Sequence, residues 1–183
     1  PYTTLFRSNY CGFFVHSYIK RYSMTAQFHC FVQKINSPIR YGFFLATQLP
    51  AAFFVGLRLK HIDPLNCSIS IRHSWFSKNP FKSMYFAAQA MAAEMSTGLL
   101  AFGHLYQRSA KVSMLVVKME VDYLKKGTGK VIFTCNDGQA IENCIQEAID
   151  SKEGKTLECI SIGKNEAGEA IAKFKFTWSF KAK

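Results

Sequence analysis

The order of periodicities along this chain predicts an α+β fold of one domain, with strands that return on one another as hairpins and one long apolar helix between them. Three observations carry that prediction. Residues alternate apolar and polar with a period of two from Cys67 to Trp75 and from Ala170 to Phe180. From Met84 to Phe102 the chain is helical in pattern and carries a single charge, Glu94. At 183 residues, 49% hydrophobic and 15% aromatic, the chain can fill one ordinary core, and two domains are not the default.

The elements follow in order from Val55. Val55, Leu57, Leu59 and His61 alternate with Arg58 and Lys60, and Asp63-Pro64-Leu65-Asn66 then supplies turn chemistry for a hairpin. Cys67, Ile69, Ile71, His73 and Trp75 form the dry face of the returning strand, with Ser68, Ser70, Arg72 and Ser74 on the wet face. The long helix begins between Pro80 and Ser83, capped by Asn79, and runs to about Tyr106. Gly98 and Gly103 are places where it could bend or end early. Val112 to Leu124 reads as one long strand whose first half is buried on both sides. A turn around Gly127 and Gly129 leads to a strand from Val131 to Cys135. Asn136-Asp137-Gly138 opens a second helix with Ile141, Cys144, Ile145, Ala148 and Ile149 on its apolar stripe and Gly154 as its stop. Lys155 to Gly163 and Ala170 to Phe180 close the domain as a hairpin.

The front of the chain reads differently. Pro1 to Ser8 can be written in codons that resemble the end of a sequencing-adapter oligonucleotide, and Asn9 to Ser23 shows no cap, repeat or targeting pattern. Residues 1–23 are therefore expected to be a non-native or untranslated leader, with the domain starting at Met24. Without Arg7, Lys20 and Arg21 the formal charge falls from +11 to +8 and remains basic. Lys and Arg are scattered, with no long run and no nucleic-acid motif, so a phosphorylated small molecule fits this charge and no nucleic-acid partner is expected.

The six cysteines lack paired spacing. Buried reduced thiols in a reducing compartment, the cytoplasm, are expected, rather than a disulfide framework or a zinc site. The most apolar stretch, Phe43 to Leu57, is interrupted by Gln48 and Pro50, which argues against an integral membrane segment. The Phe side chains between Tyr41 and Phe54 are expected to lie over the end of the sheet, with a membrane-surface role as the alternative.

Among chemical candidates Glu94 leads. Met84, Ala88, Met91, Met95, Leu99 and Phe102 form the core-facing stripe, and Glu94 lies off it, beside Ala87, Ala90, Gly98 and Ala101. A carboxylate among such small apolar side chains is either catalytic or a structural group with a local donor. Gly127-Thr128-Gly129-Lys130 is not a phosphate-binding P-loop, because Val131 opens a strand. No serine-nucleophile elbow is present, and His61, His73 and His104 have no metal-site spacing, so neither a metal nor another cofactor is expected.

Asn79 before the helix, Glu94 within it, and V-D-Y-L-K-K-G-T-G-K-V from Val121 to Val131 together resemble the hotdog fold of phenylacetyl-CoA-type thioesterases, with an uncharacterised domain-of-unknown-function branch as the best match over Met24 to Lys183. The resemblance implies a single hotdog domain, an antiparallel sheet wrapped around one long central helix, here with an extra helix inserted between late strands. It implies an acyl-CoA thioesterase in which Asn79 and Glu94 orient or activate water and the backbone amides of Phe86 and Ala87 polarise the thioester carbonyl. It also implies a homodimer paired through Val112 to Tyr123. Lys125, Lys126 and Lys130, the densest positive cluster, are candidates for the CoA phosphates. Relatives of this kind carry His-Gly-Gly where this chain has Tyr85-Phe86-Ala87, which makes a non-catalytic acyl-CoA or lipid-binding module the alternative. A dehydratase would need His73 or His104 beside Glu94.

Overall fold

The computed structural model describes residues 26–183, so the expected leader at 1–23 and its boundary at Met24 lie outside the described residues. Six strands form one antiparallel sheet in the order β1-β2-β4-β5-β6-β3. They are β1 (Arg58–Ile62), β2 (Cys67–Arg72), β3 (Val112–Tyr123), β4 (Lys130–Cys135), β5 (Lys155–Asn165) and β6 (Ala170–Ala182). The helices are α1 (26–35), α2 (Pro38–Gln48), α3 (Pro50–Val55), α4 (Phe86–Leu105) and α5 (Gly138–Ser151).

Helix α4 lies across β2, β4, β5 and β6, and α5 packs on α4, β5 and β6. The core is therefore shared by one sheet face and the helices. Phe174, Phe176, Trp178 and Phe180 of β6 all point into it, as their two-residue period requires. Helix α4 is buried on nearly every side: Ala92, Ala93, Ser96, Thr97 and Leu100 are inside along with the expected stripe. Phe102, expected on that stripe, is instead half exposed. Small residues let α4 sit this deep, and the helix does not end early at Gly98 or Gly103 but runs through both to Leu105.

Each expected hairpin forms. Asp63 Oδ1 accepts from the amides of Leu65 (2.8 Å) and Asn66 (2.7 Å), closing the β1–β2 turn. Gly168, at φ 81°, completes the β5–β6 turn. Helix α5 is tied at its start, where Asp137 Oδ2 accepts from the Ile160 amide at 2.7 Å. Its Gly138 is required sterically, because a Cβ there would stand 2.1 Å from the Pro64 carbonyl oxygen. The helix stops at Lys152, which takes the left-handed conformation itself, two residues before the expected Gly154.

Four expectations are corrected. Val55 belongs to α3, which ends at Gly56 with φ 84°, so β1 starts three residues later than its alternation suggested. The pattern of β2 continues in sequence beyond Arg72, but the strand ends there with its partner Lys130, and the chain turns over Ser74 and Ser77, leaving Trp75 72% exposed. Helix α4 starts at Phe86 rather than between Pro80 and Ser83, because Asn79 closes a loop instead of capping the helix. Strand β3 is the outer edge of the sheet, so its first half is not buried on both sides; Leu115 is 65% and Val117 52% exposed.

The apolar segment before β1 is also different from its expectation. Pro38, ahead of it, opens α2 and Pro50, within it, opens α3, and Phe43 and Phe54 are exposed rather than packed over the sheet end. Among the described residues no helix is long and apolar enough to cross a membrane. Cys67, Cys135, Cys144 and Cys159 are free and buried, as their strand and helix patterns imply, while Cys30 is free and exposed. Among the described residues no cluster of His, Cys, Asp or Glu could hold a metal ion.

Candidate active site

The first turn of α4 is built by the loop that precedes it. Asn79 Oδ1 accepts from the amides of Phe81 (2.9 Å) and Ser83 (3.2 Å), and its Nδ2 donates to Ser83 Oγ (3.1 Å) and to the Met84 carbonyl (3.4 Å). The Asn79 side chain thus holds the loop in shape, and its hydrogen-bonding capacity is spent there. Met84 then donates its amide to the Gly127 carbonyl at 2.7 Å, which docks the 125–130 turn against the helix start.

Between these segments lies an open cleft of about 370 Å³, lined by Asn79, Ser83, Phe86, Gln89, Tyr123, Lys125 and Lys126 among others. It brings together four residues expected from the sequence: Asn79, Phe86, Lys125 and Lys126. Among the described residues the amides of Phe86 and Ala87 have no acceptor, as expected in the first turn of a helix. They present two donors and the positive end of the helix dipole. The Phe86 side chain is 54% exposed beside them, and its carbonyl accepts from Tyr123 Oη at 3.3 Å.

Glu94 does not line this cleft. It stands seven residues beyond Ala87, about 10 Å along the helix axis. Its Oε1 folds back over Gly98, where a Cβ would lie only 2.9 Å from it, with the Trp178 ring 3.2 Å from the same point. Trp178 Nε1 donates to Thr97 Oγ1 (3.0 Å), and Thr97 Oγ1 donates to the Glu94 main-chain carbonyl (2.9 Å). The indole donor is spent, and among the described residues the Glu94 carboxylate has neither a hydrogen-bond donor nor an ion-pair partner. Burial alone raises its pKa above the ordinary carboxylate range.

The basic turn is divided. Lys125 Nζ pairs with Glu169 at 2.6 Å, both partly exposed. Lys126 lines the cleft, whereas Lys130 lies at the far end of the turn, directly across from Arg72 on β2. Arg72 was not singled out from sequence, because only strand pairing shows that it doubles the positive charge beside Lys130. Gln89 was missed as well. It is buried, its Nε2 donates to the Met84 carbonyl at 3.4 Å, and its Oε1 has no partner among the described residues. A lone amide in the first two turns of an otherwise apolar helix was the available signal.

The histidines lie elsewhere. His104 is buried near the far end of α4, where burial lowers its pKa and its Nε2 donates to the Pro64 carbonyl at 2.8 Å. Ten residues separate it from Glu94, about 15 Å along the helix, so the two cannot share a substrate in one chain. His73 does not line the cleft.

The fold is shared with solved structures of low sequence identity. A protein of unknown function from Pseudomonas aeruginosa, called a probable thioesterase, superposes with a TM-score of 0.66 at 17% identity over 80% of this chain and 97% of its own. A protein of unknown function from Chlorobaculum tepidum gives 0.66 at 15% identity over 80% and 98%. A thioesterase from Haemophilus influenzae gives 0.61 at 11% identity over 80% and 91%. No curated protein sequence matches the chain. The sequence profile of the domain of unknown function DUF4442 matches residues 42–180, which takes in α3, α4, α5, most of α2 and the sheet up to the last two residues of β6. With both the cleft and the Glu94 carboxylate inside that match, the chain belongs to the DUF4442 family.

Proposed function

We propose that this chain is a hotdog-fold acyl-CoA thioesterase, in which Glu94 is the general base that activates water. The observation that supports this most is the Glu94 carboxylate: half-buried, without a donor among the described residues, and raised in pKa by burial. Such a group is a stronger base than an ordinary surface carboxylate. In this reading Glu94 takes a proton from water as the oxygen attacks the thioester carbon. The amides of Phe86 and Ala87 hold the oxyanion, and the C–S bond then breaks with the proton passing to the departing thiolate.

The distance of about 10 Å between those amides and Glu94 of one helix is too long for this chemistry within one chain. The reading therefore requires a homodimer in which the amides of one copy face Glu94 of another. The exposed apolar edge of β3 is where such a pair would join.

Thiol release from a panel of acyl-CoA thioesters tests the proposal. Turnover should be measurable with the full chain and fall by roughly 10²-fold or more in Glu94→Gln. Folded Glu94→Gln with undiminished turnover removes the assignment.

A second reading, a module that binds acyl-CoA without hydrolysing it, is favoured by Phe86. Its bulky side chain stands at the helix start, where a carbonyl would need close approach to the backbone. Saturable binding of the same thioesters with no thiol release from the unmodified chain would select this reading.

A further inference from the structure

An unusually apolar and basic surface is formed by α2, α3, the start of β1 and the Trp75–Phe76 turn, residues that do not line the cleft. Phe53 and Phe54 of α3 contact each other edge to face (5.7 Å between centroids), Phe54 meets Phe76 at 5.9 Å, and Phe76 meets Trp75 at 5.0 Å. Phe53 also lines a groove of about 800 Å³ between α2 and β1, together with Ile39 and Phe43. Phe43 is 70%, Phe54 59% and Trp75 72% exposed, so this is one connected apolar face. A patch of this kind on a folded domain marks a surface that is covered in use.

Charge identifies the cover. Arg58 and Lys60 line the same groove, and the Lys78 ammonium lies 5.7 Å from the Trp75 ring centroid. Among the described residues none of the three has an ion-pair partner. Of the twelve acidic residues in the sequence, Asp63 alone precedes Glu94, and it is engaged with His61 and the β1–β2 turn. The apolar face is therefore rimmed by uncompensated cations. A Trp and several Phe side chains at the level of unpaired Lys and Arg are the combination that inserts at a lipid–water boundary. A second copy of the same face would instead bring like charges together.

We propose that the face formed by α2, α3 and the Trp75–Phe76 turn docks on an anionic phospholipid bilayer, its aromatic side chains entering the headgroup layer and Arg58, Lys60 and Lys78 meeting lipid phosphates. Helices α2 and α3 would lie on the surface without crossing it. This does not depend on hydrolysis at Glu94.

Co-sedimentation of the full chain with vesicles of phosphatidylcholine, or of phosphatidylcholine mixed with phosphatidylserine, tests it. Preferential partitioning onto the mixed vesicles is expected, with a blue shift of tryptophan emission from the exposed Trp75, since Trp178 is already buried. Lys60→Glu with Lys78→Glu should lower that partitioning about tenfold or more. Phe43→Ser with Phe54→Ser and Phe76→Ser should lower it about as much and abolish the shift. All five positions are exposed, and circular dichroism verifies that each variant is folded. Three results overturn the proposal: no partitioning, equal partitioning onto both vesicle types, or serine variants that alter the oligomeric mass while vesicle binding is unchanged.

Discussion

Glu94 is held where it is by the absence of a side chain at Gly98, whose place is taken by the carboxylate and the edge of Trp178. That arrangement has a pH signature. Because burial raises the folded-state pKa of Glu94, the folded chain retains a proton that the unfolded chain has already lost. Stability from this group is therefore full below the unfolded value of about 4.5. It declines as pH rises toward the raised folded value, and the loss is complete above it. Replacing Glu94 with Gln removes the ionisation and keeps the shape. Melting temperatures of the two proteins should be close near pH 4 and diverge upward, with the Gln variant the more stable near pH 8. A wild type that is more stable than the variant at the higher pH would mean that the carboxylate has a partner after all. Combined with the turnover assay, this separates a base held at a cost from a structural acid.

At the level of elements, periodicity was informative wherever one face of an element is wet. β6, α5 and the β1–β2 hairpin all follow from spacing and turn residues, because their two faces differ in polarity. It failed where that contrast is missing. Helices α2 and α3 are apolar on their outer as well as their inner faces, so sequence could not tell a covered side from an exposed one. The start of α4 is not legible in the sequence, because Asn79 satisfies equally well the chemistry of a cap and of a loop closure, and only the folded loop shows which amides it serves. The residues of the candidate site were legible singly, and their separation along one helix follows from residue count, but not that the cleft gathers Asn79, Phe86, Lys125 and Lys126 and leaves Glu94 out. Strand β3 shows the same limit: its doubly apolar first half reads as buried, yet in the single chain it is an open edge. An edge of this length with Leu115 and Val117 exposed is open to pairing, and it is the strand that the proposed homodimer would use. Replacing both with Lys removes two side chains worth about 1.5–3 kcal/mol each on burial, and each is lost twice in a symmetric pair. The substituted chain should be monomeric in sedimentation velocity at concentrations where the unmodified chain is dimeric, and should lose thioester hydrolysis with it. An unmodified chain that is monomeric throughout would remove β3 as the pairing strand.

Across the whole molecule the basic residues behind the formal charge of +11 are scattered, and two groups of them bear on binding: the rim of the α2–α3 face and the 125–130 turn beside the cleft. At the turn the charge is partly compensated. The Lys125–Glu169 pair is exposed and contributes at most about 1 kcal/mol, so it can be broken without unfolding the domain. Lys126 has no ion-pair partner among the described residues, and Lys130 faces Arg72, a like charge that weakens their strand pairing by a few tenths of a kcal/mol to about 1 kcal/mol. A nucleotide polyphosphate would relieve that repulsion while it gained three cations. Replacing Lys125, Lys126 and Lys130 with Gln should therefore weaken acyl-CoA affinity strongly at about 0.01 M salt, where the screening length is about 30 Å, and far less near 1 M, where it is about 3 Å. The melting temperature should change little, since all three ammonium groups lie at or near the surface. Titrating CoA into both proteins at both salt concentrations measures the difference directly. If the substitutions cost the same factor at low and high salt, the lysines act through shape rather than charge, and the turn is not the phosphate site.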